Sequence, residues 1–157
     1  MSAPHLWLAQ YPAGTPANID TNEFRSVVDV MQRAFERYRH RPAFVCMDKV
    51  ITYGELDELS LKFACYLRNK LGLQKGDRVA IMLPNVLQYP VALLGILRAG
   101  CTVVNTNPMY TARELKHQLN DSGALAIVVL ENFAKTLEEV IKETKVKQVI
   151  TTSVGDM

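Results

Sequence analysis

Between Arg78 and Thr151, short apolar runs alternate with helical segments, and this alternation limits the possible folds more than any other property of the chain. The runs are Arg78–Leu83, Cys101–Asn105, Leu125–Leu130 and Gln148–Thr151. They are nearly continuously apolar rather than alternating, as in strands covered on both faces. The segments between them have helical length and period. Such a series predicts an α/β fold with a mostly parallel sheet, helices on both faces and right-handed crossovers. Thr111 and Glu114 have capping-box spacing, Gly100 and Gly123 are fitting helix stops, and Asn132 is placed to cap the last helix.

An N-terminal helix and a β-hairpin precede this series. Phe24, Val27, Val28, Met31, Ala34, Phe35 and Tyr38 recur at helical period, and Asp20 with Glu23 has capping-box spacing, so a helix is predicted over 22–39. Pro42 ends it. Residues 43–47 and 50–52 flank Asp48-Lys49 as a hairpin would. Thr52 and Glu55 box the following helix, which buries Leu56, Leu59, Phe63 and Leu67 and stops at Gly72. Residues 1–20 hold Pro4, Pro12 and Pro16 and read as an extended arm with Trp7 and Tyr11 on a surface.

The segment Val86–Ala99 is apolar almost all round. A helix at a protein surface would keep one polar face. The expectation is that this helix needs covering on more than one side, by more protein than the chain supplies.

Composition narrows the functional classes. Net charge is +2, with no basic block, which argues against nucleic acid as a partner. Cys46, Cys65 and Cys101 are far apart, form no CxxC, have no zinc spacing and each sit in an apolar run, so they read as buried free thiols in a reducing compartment. The N-terminus lacks a basic n-region and a long apolar stretch, and Gln88, Pro90 and Arg98 break the longest apolar tract. A cytoplasmic chain is expected, in contact with the inner membrane at most.

Motifs for chemistry are missing. No GxGxxG follows a strand and no GxxxxGK[ST] occurs. The turn Leu83-Pro84-Asn85-Val86 lacks one N–H donor at its proline, so it is poor for phosphate. No serine stands in a nucleophile elbow, and His5, His40 and His117 are scattered. One segment invites a ligand: the hinge Asn105–Tyr110, beyond a strand's carboxyl end, where open α/β sheets gather ligands. Asn105, Asn107, Pro108 and Tyr110 are the candidate lining residues. In the competing reading the asparagines satisfy loop backbone and Thr111 only caps a helix.

Two blocks carry a resemblance to a known family. ITYGELDELSLKFACYLRNKLGLQKGDRVAIMLPN is similar to the opening domain of the adenylate-forming acyl-CoA ligases. LQYPVALLGILRAGCTVVNTNPMYTARELKHQLNDSGA resembles the long-chain fatty acid–CoA ligases of bacteria within that family. The resemblance implies activation of a long-chain fatty acid by ATP, with Mg²⁺, to acyl-AMP and pyrophosphate. The CoA thiol then displaces AMP. It also implies that the family's phosphate loop, metal-binding Glu, ribose-binding Asp and catalytic Lys lie outside this sequence. No catalytic residue or metal ligand is therefore assigned. The chain is expected to be inactive alone, to bind no cofactor tightly, and to form the first subdomain of the large N-terminal region over 21–157. Its implied partners are the remainder of the polypeptide, the fatty acid, a second copy through the N-terminal arm, and a membrane surface touched peripherally. A self-contained flavodoxin-like binding domain and a non-catalytic interaction module are the alternatives.

Overall fold

The structure is a computed structural model and describes residues 5–157. Four parallel strands form the central sheet: β3 (Arg78–Met82), β4 (Thr102–Asn105), β5 (Ala126–Leu130) and β6 (Gln148–Thr152). Their order across the sheet is β4-β3-β5-β6. Every residue of β5 is buried, as its unbroken apolar sequence requires. Edge strand β6 is covered only in part and alternates between half-buried and exposed residues.

Helices cover both faces. Val79, Ile81 and Leu83 face α2 (Tyr53–Asn69) and α3 (Gln88–Arg98), packing with Ala64, Leu67, Ala92 and Ile96. Ala80, Met82, Ile127 and Val129 point the other way, onto Leu115 and Leu119 of α4 (Ala112–Ser122) and Leu137 and Val140 of α5 (Ala134–Val140). Strand period 2 delivers alternate residues to the two cores. A third cluster of Phe35, Ile51, Leu56, Leu87 and Leu94 joins α1 (Val27–Tyr38) and the hairpin β1 (Pro42–Cys46) and β2 (Lys49–Thr52) to α2 and α3.

Four boundaries differ from expectation. Helix α1 starts at Val27, not residue 22, because Ser26 is the true cap: its Oγ accepts from the Asp29 N–H at 3.2 Å. Asp20 instead makes a local turn, its Oδ1 accepting from the Asn22 N–H at 2.9 Å. The hairpin turns at Met47-Asp48 rather than Asp48-Lys49, since Cys46 pairs with Lys49. Both turn residues are left-handed (φ 48° and 63°), as a two-residue turn joining right-twisted strands demands. Asn132 caps nothing; a 3-10 turn, Glu131–Phe133, leads into α5 instead. The arm also holds one regular element, a 3-10 turn at Leu6–Gln10 between its prolines, with Trp7 exposed. Pro4 lies outside the described residues.

Helix α3 is covered by the chain itself on more than one side, with Tyr89, Val91, Leu93 and Leu97 left half-buried. The sheet lies on one side, α2 on another, and α1 with the hairpin reaches Leu94 and Leu87. Gly95 permits this contact, because a Cβ there would lie 3.1 Å from the Ser60 carbonyl of α2.

Candidate functional site

The carboxyl ends of the four strands open on one rim. The connection from β3 runs over one face to β4, and that from β5 runs over the other face to β6. The topological switch point is therefore the crevice between β3 and β5. Leu83–Leu87 and Glu131–Phe133 border it. The hinge Asn105–Tyr110 sits one strand away, at the end of edge strand β4.

Each hinge residue has a local reason for its position. The Thr106 N–H donates to the Ile81 carbonyl at 2.9 Å, extending the β3–β4 ladder past the last strand residue. Asn107 Oδ1 accepts from the Met109 N–H at 2.9 Å, an Asx turn, and the Tyr110 N–H donates to the Asn107 carbonyl at 3.1 Å. Asn107 is thus spent on its own loop. Pro108 is half-buried. Tyr110 is half-buried against the core of α4 and α5 and lines an open concavity of 690 Å³ with Thr111, Arg113, Glu114, His117 and Gln118. Arg113, His117 and the Tyr110 phenol are the polar groups there that could meet an anionic ligand.

Asn105 is held differently. The Tyr89 hydroxyl, from the first turn of α3, donates to Asn105 Oδ1 at 2.9 Å. That bond ties the β4 hinge to the segment after β3 and so to the switch-point crevice. Tyr89 was not foreseen from sequence. Its one visible signal is a phenol in the first turn of an otherwise apolar helix. The structure therefore brings Asn105 together with Tyr89, and Tyr110 with Arg113 and His117. It does not gather Asn105, Asn107, Pro108 and Tyr110 around a single enclosed cavity.

The start of α4 sets the local electrostatics. Thr111 Oγ1 accepts from the Glu114 N–H at 3.4 Å, and Glu114 Oε2 accepts from the Thr111 N–H at 2.9 Å. That backbone donor first, then the Thr111 hydroxyl, holds the Glu114 carboxyl below its ordinary value of 4.5. Glu55 is lowered by the same contacts with Thr52. A lowered carboxyl stabilises the folded chain above its unfolded value and loses that contribution as pH falls through the folded one. Thr111→Ala is expected to cost about 1 kcal/mol near neutral pH. The deficit should narrow once Glu114 is protonated in both proteins. Thermal melts of the two proteins between pH 7 and 3 check this, and a deficit independent of pH would show that Glu114 takes no part in the cap.

Among the described residues, no group of three His, Cys, Asp or Glu side chains converges as a metal site requires. Of the three cysteines expected to be buried only Cys101 is, Cys46 being half-buried and Cys65, on the outer face of α2, exposed; burial, together with the nearby Asp77, raises the Cys101 thiol, which makes it an inert core residue. No helix among the described residues is long and apolar enough to cross a membrane.

A family model described as AMP-binding enzyme matches residues 31–157. The chain is 57% identical over 151 residues to the long-chain-fatty-acid–CoA ligase of Salmonella typhimurium, covering 96% of this chain and 27% of that protein. It is 34% identical over 156 residues to the ligase of the same name from Bacillus subtilis, covering 99% of this chain and 28% of that one. A long-chain-fatty-acid-CoA ligase from Archaeoglobus fulgidus superposes with a TM-score of 0.75 at 28% identity, over 80% of this chain and 27% of the other. The chain thus spans about a quarter of the length of the curated relatives it matches.

Proposed function

This chain belongs to the AMP-binding enzyme family, and from that premise we propose that it serves as the first subdomain, over 21–157, of a ligase that joins long-chain fatty acids to CoA. ATP and CoA are the co-substrates. The acid is activated as acyl-AMP with release of pyrophosphate, and the CoA thiol then displaces AMP. The 57% identity over 96% of the chain carries this reading. The chain's own share of the work is scaffolding. Its sheet presents the rim of strand ends to the remainder of the polypeptide, with Asn105, Asn107, Pro108 and Tyr110 in the wall of the substrate region. Tyr89 holds Asn105 in that wall. Partners proposed with this role are the fatty acid, a second copy through the N-terminal arm, and a membrane surface touched from the cytoplasm.

The test has two arms. The full-length protein, given ATP, Mg²⁺, palmitate and CoA, is expected to release pyrophosphate and form palmitoyl-CoA. The 157-residue chain alone is expected to release none above a blank, since no glycine-rich phosphate loop occurs in it. Turnover by the isolated chain would refute the scaffold role. Failure of the full-length protein on every long-chain acid would refute the ligase reading.

A further inference from the structure

Asn105 differs from the rest of the hinge in what its side chain bonds. Asn107 Oδ1 closes an Asx turn on the Met109 N–H, and the buried Thr106 hydroxyl donates to the Val104 carbonyl at 3.3 Å. Those are the local bonds that asparagine and threonine ordinarily make in loops. Asn105 instead takes its partner from another element, the Tyr89 hydroxyl, 16 residues away along the chain and at 2.9 Å. Strand parity puts Asn105 on the same face as Val103, the face that α3 covers.

This bond orients more than it stabilises. It joins an exposed asparagine to a phenol at the rim, where water would satisfy both groups, so its net contribution to folding is small. The Tyr89 ring is half-buried and packs on the core that α2 and α3 share, so its hydroxyl is held in a fixed place. The bond also uses only one end of the carboxamide. Asn105 Nδ2 carries two further N–H donors and has no partner among the described residues. With Oδ1 turned to Tyr89, the planar group keeps both donors off α3.

The surroundings narrow the ligand chemistry. The Tyr89 ring lines a 210 Å³ groove beside the turn at 83–87, together with Phe44, Val45, Val86, Leu87 and Pro90. No charged side chain lines this groove, and Asn105 stands one hydrogen bond from it. Apolar walls with a few placed polar groups suit an uncharged ligand segment. They do not suit a triphosphate, whose charge calls for cations or clustered backbone N–H groups. We propose that Asn105 donates its amide N–H groups to a carbonyl oxygen of a substrate, and that Tyr89 is the positioning residue that holds the amide for it. The inference rests on the ligase reading, in which such oxygens occur on the acyl group and on the amide-bearing arm of CoA.

Steady-state kinetics of the full-length protein test this, with ATP, CoA and palmitate varied in turn. Asn105→Ala is expected to raise KM for palmitate or for CoA about tenfold, which tells the two carbonyl sources apart, and to leave KM for ATP unchanged. Asn105→Asp keeps the bond to Tyr89 but puts an acceptor where the donors were, so its loss should be at least as large. Tyr89→Phe removes only the hydroxyl and is expected to raise the same KM about threefold. Combining Tyr89→Phe with Asn105→Ala should cost no more than Asn105→Ala alone, because Tyr89 acts through Asn105. Tyr66→Phe, at an exposed position of α2, is the control and should change nothing. Losses that multiply in the double variant, an Asp variant as active as wild type, a rise confined to KM for ATP, no rise in any KM, or losses that follow a fall in melting temperature would each overturn the proposal. In each of those cases an active wild type leaves the ligase reading standing. An inactive wild type sinks that reading and this proposal with it.

Discussion

Replacing Gly95 with valine will destabilise the chain by about 3 kcal/mol, and with alanine by about 1 kcal/mol. The ideal Cβ at this position lies 2.6 Å from Phe63 Cδ1, 3.0 Å from Phe63 Cβ and 3.1 Å from the Ser60 carbonyl oxygen. Phe63 is half-buried and its ring can turn aside. The Ser60 oxygen is helix backbone and can yield only if α2 moves away from α3. Alanine adds the clash but regains up to about 1 kcal/mol of helix propensity, so its net cost is the smaller. Valine keeps the clash, adds two branches, and gains less from propensity. Urea denaturation of the 157-residue chain measures both. A neutral or stabilising Gly95→Ala would mean that Phe63 takes up all the strain and that the two helices are not in close contact here.

Gly95 also shows how legible this chain was. The periodicity of α3, its proline in the first turn and its stop at Gly100 could all be read from sequence. Its surroundings could not. An all-round apolar helix looks the same whether α2 covers it or another part of a larger protein does. Periodicity reports which faces want burial, not what buries them. The capping boxes at Thr52 and Thr111 were legible because each closes within three residues. The strand order β4-β3-β5-β6 was not, because a right-handed crossover does not reveal on which side of the earlier strands the next one lands. The candidate site divides in the same way. The hinge was visible as a polar strand end, and the Asx turn of Asn107 follows from local chemistry. The Tyr89–Asn105 bond spans 16 residues and depends on that strand order, so no local pattern announces it.

The contact that fastens α2 to α3 is longer-range still and gives the second large effect. Arg98 Nη1 donates to Asp57 Oδ1 at 2.7 Å, to the Asp57 carbonyl at 2.9 Å and to Ser60 Oγ at 2.9 Å. The two charged side chains are 15% and 28% exposed, so water screens them little. Asp57→Leu removes the carboxylate and leaves the guanidinium largely buried with only neutral acceptors, at an expected cost of about 3 kcal/mol. Arg98→Met is expected to cost less, about 2 kcal/mol, because Asp57 keeps Arg39 at 3.9 Å and is the more exposed of the pair. Much of each single cost is the penalty for stranding the other charge. The double variant, with two apolar side chains facing each other, should therefore be more stable than the sum of the singles implies, by about 1–2 kcal/mol. A double-mutant cycle in urea reads that coupling directly. Strict additivity would show that the pair merely coincides at this helix crossing, and that the neighbouring apolar contacts of Leu56 and Leu94 hold α2 and α3 together on their own.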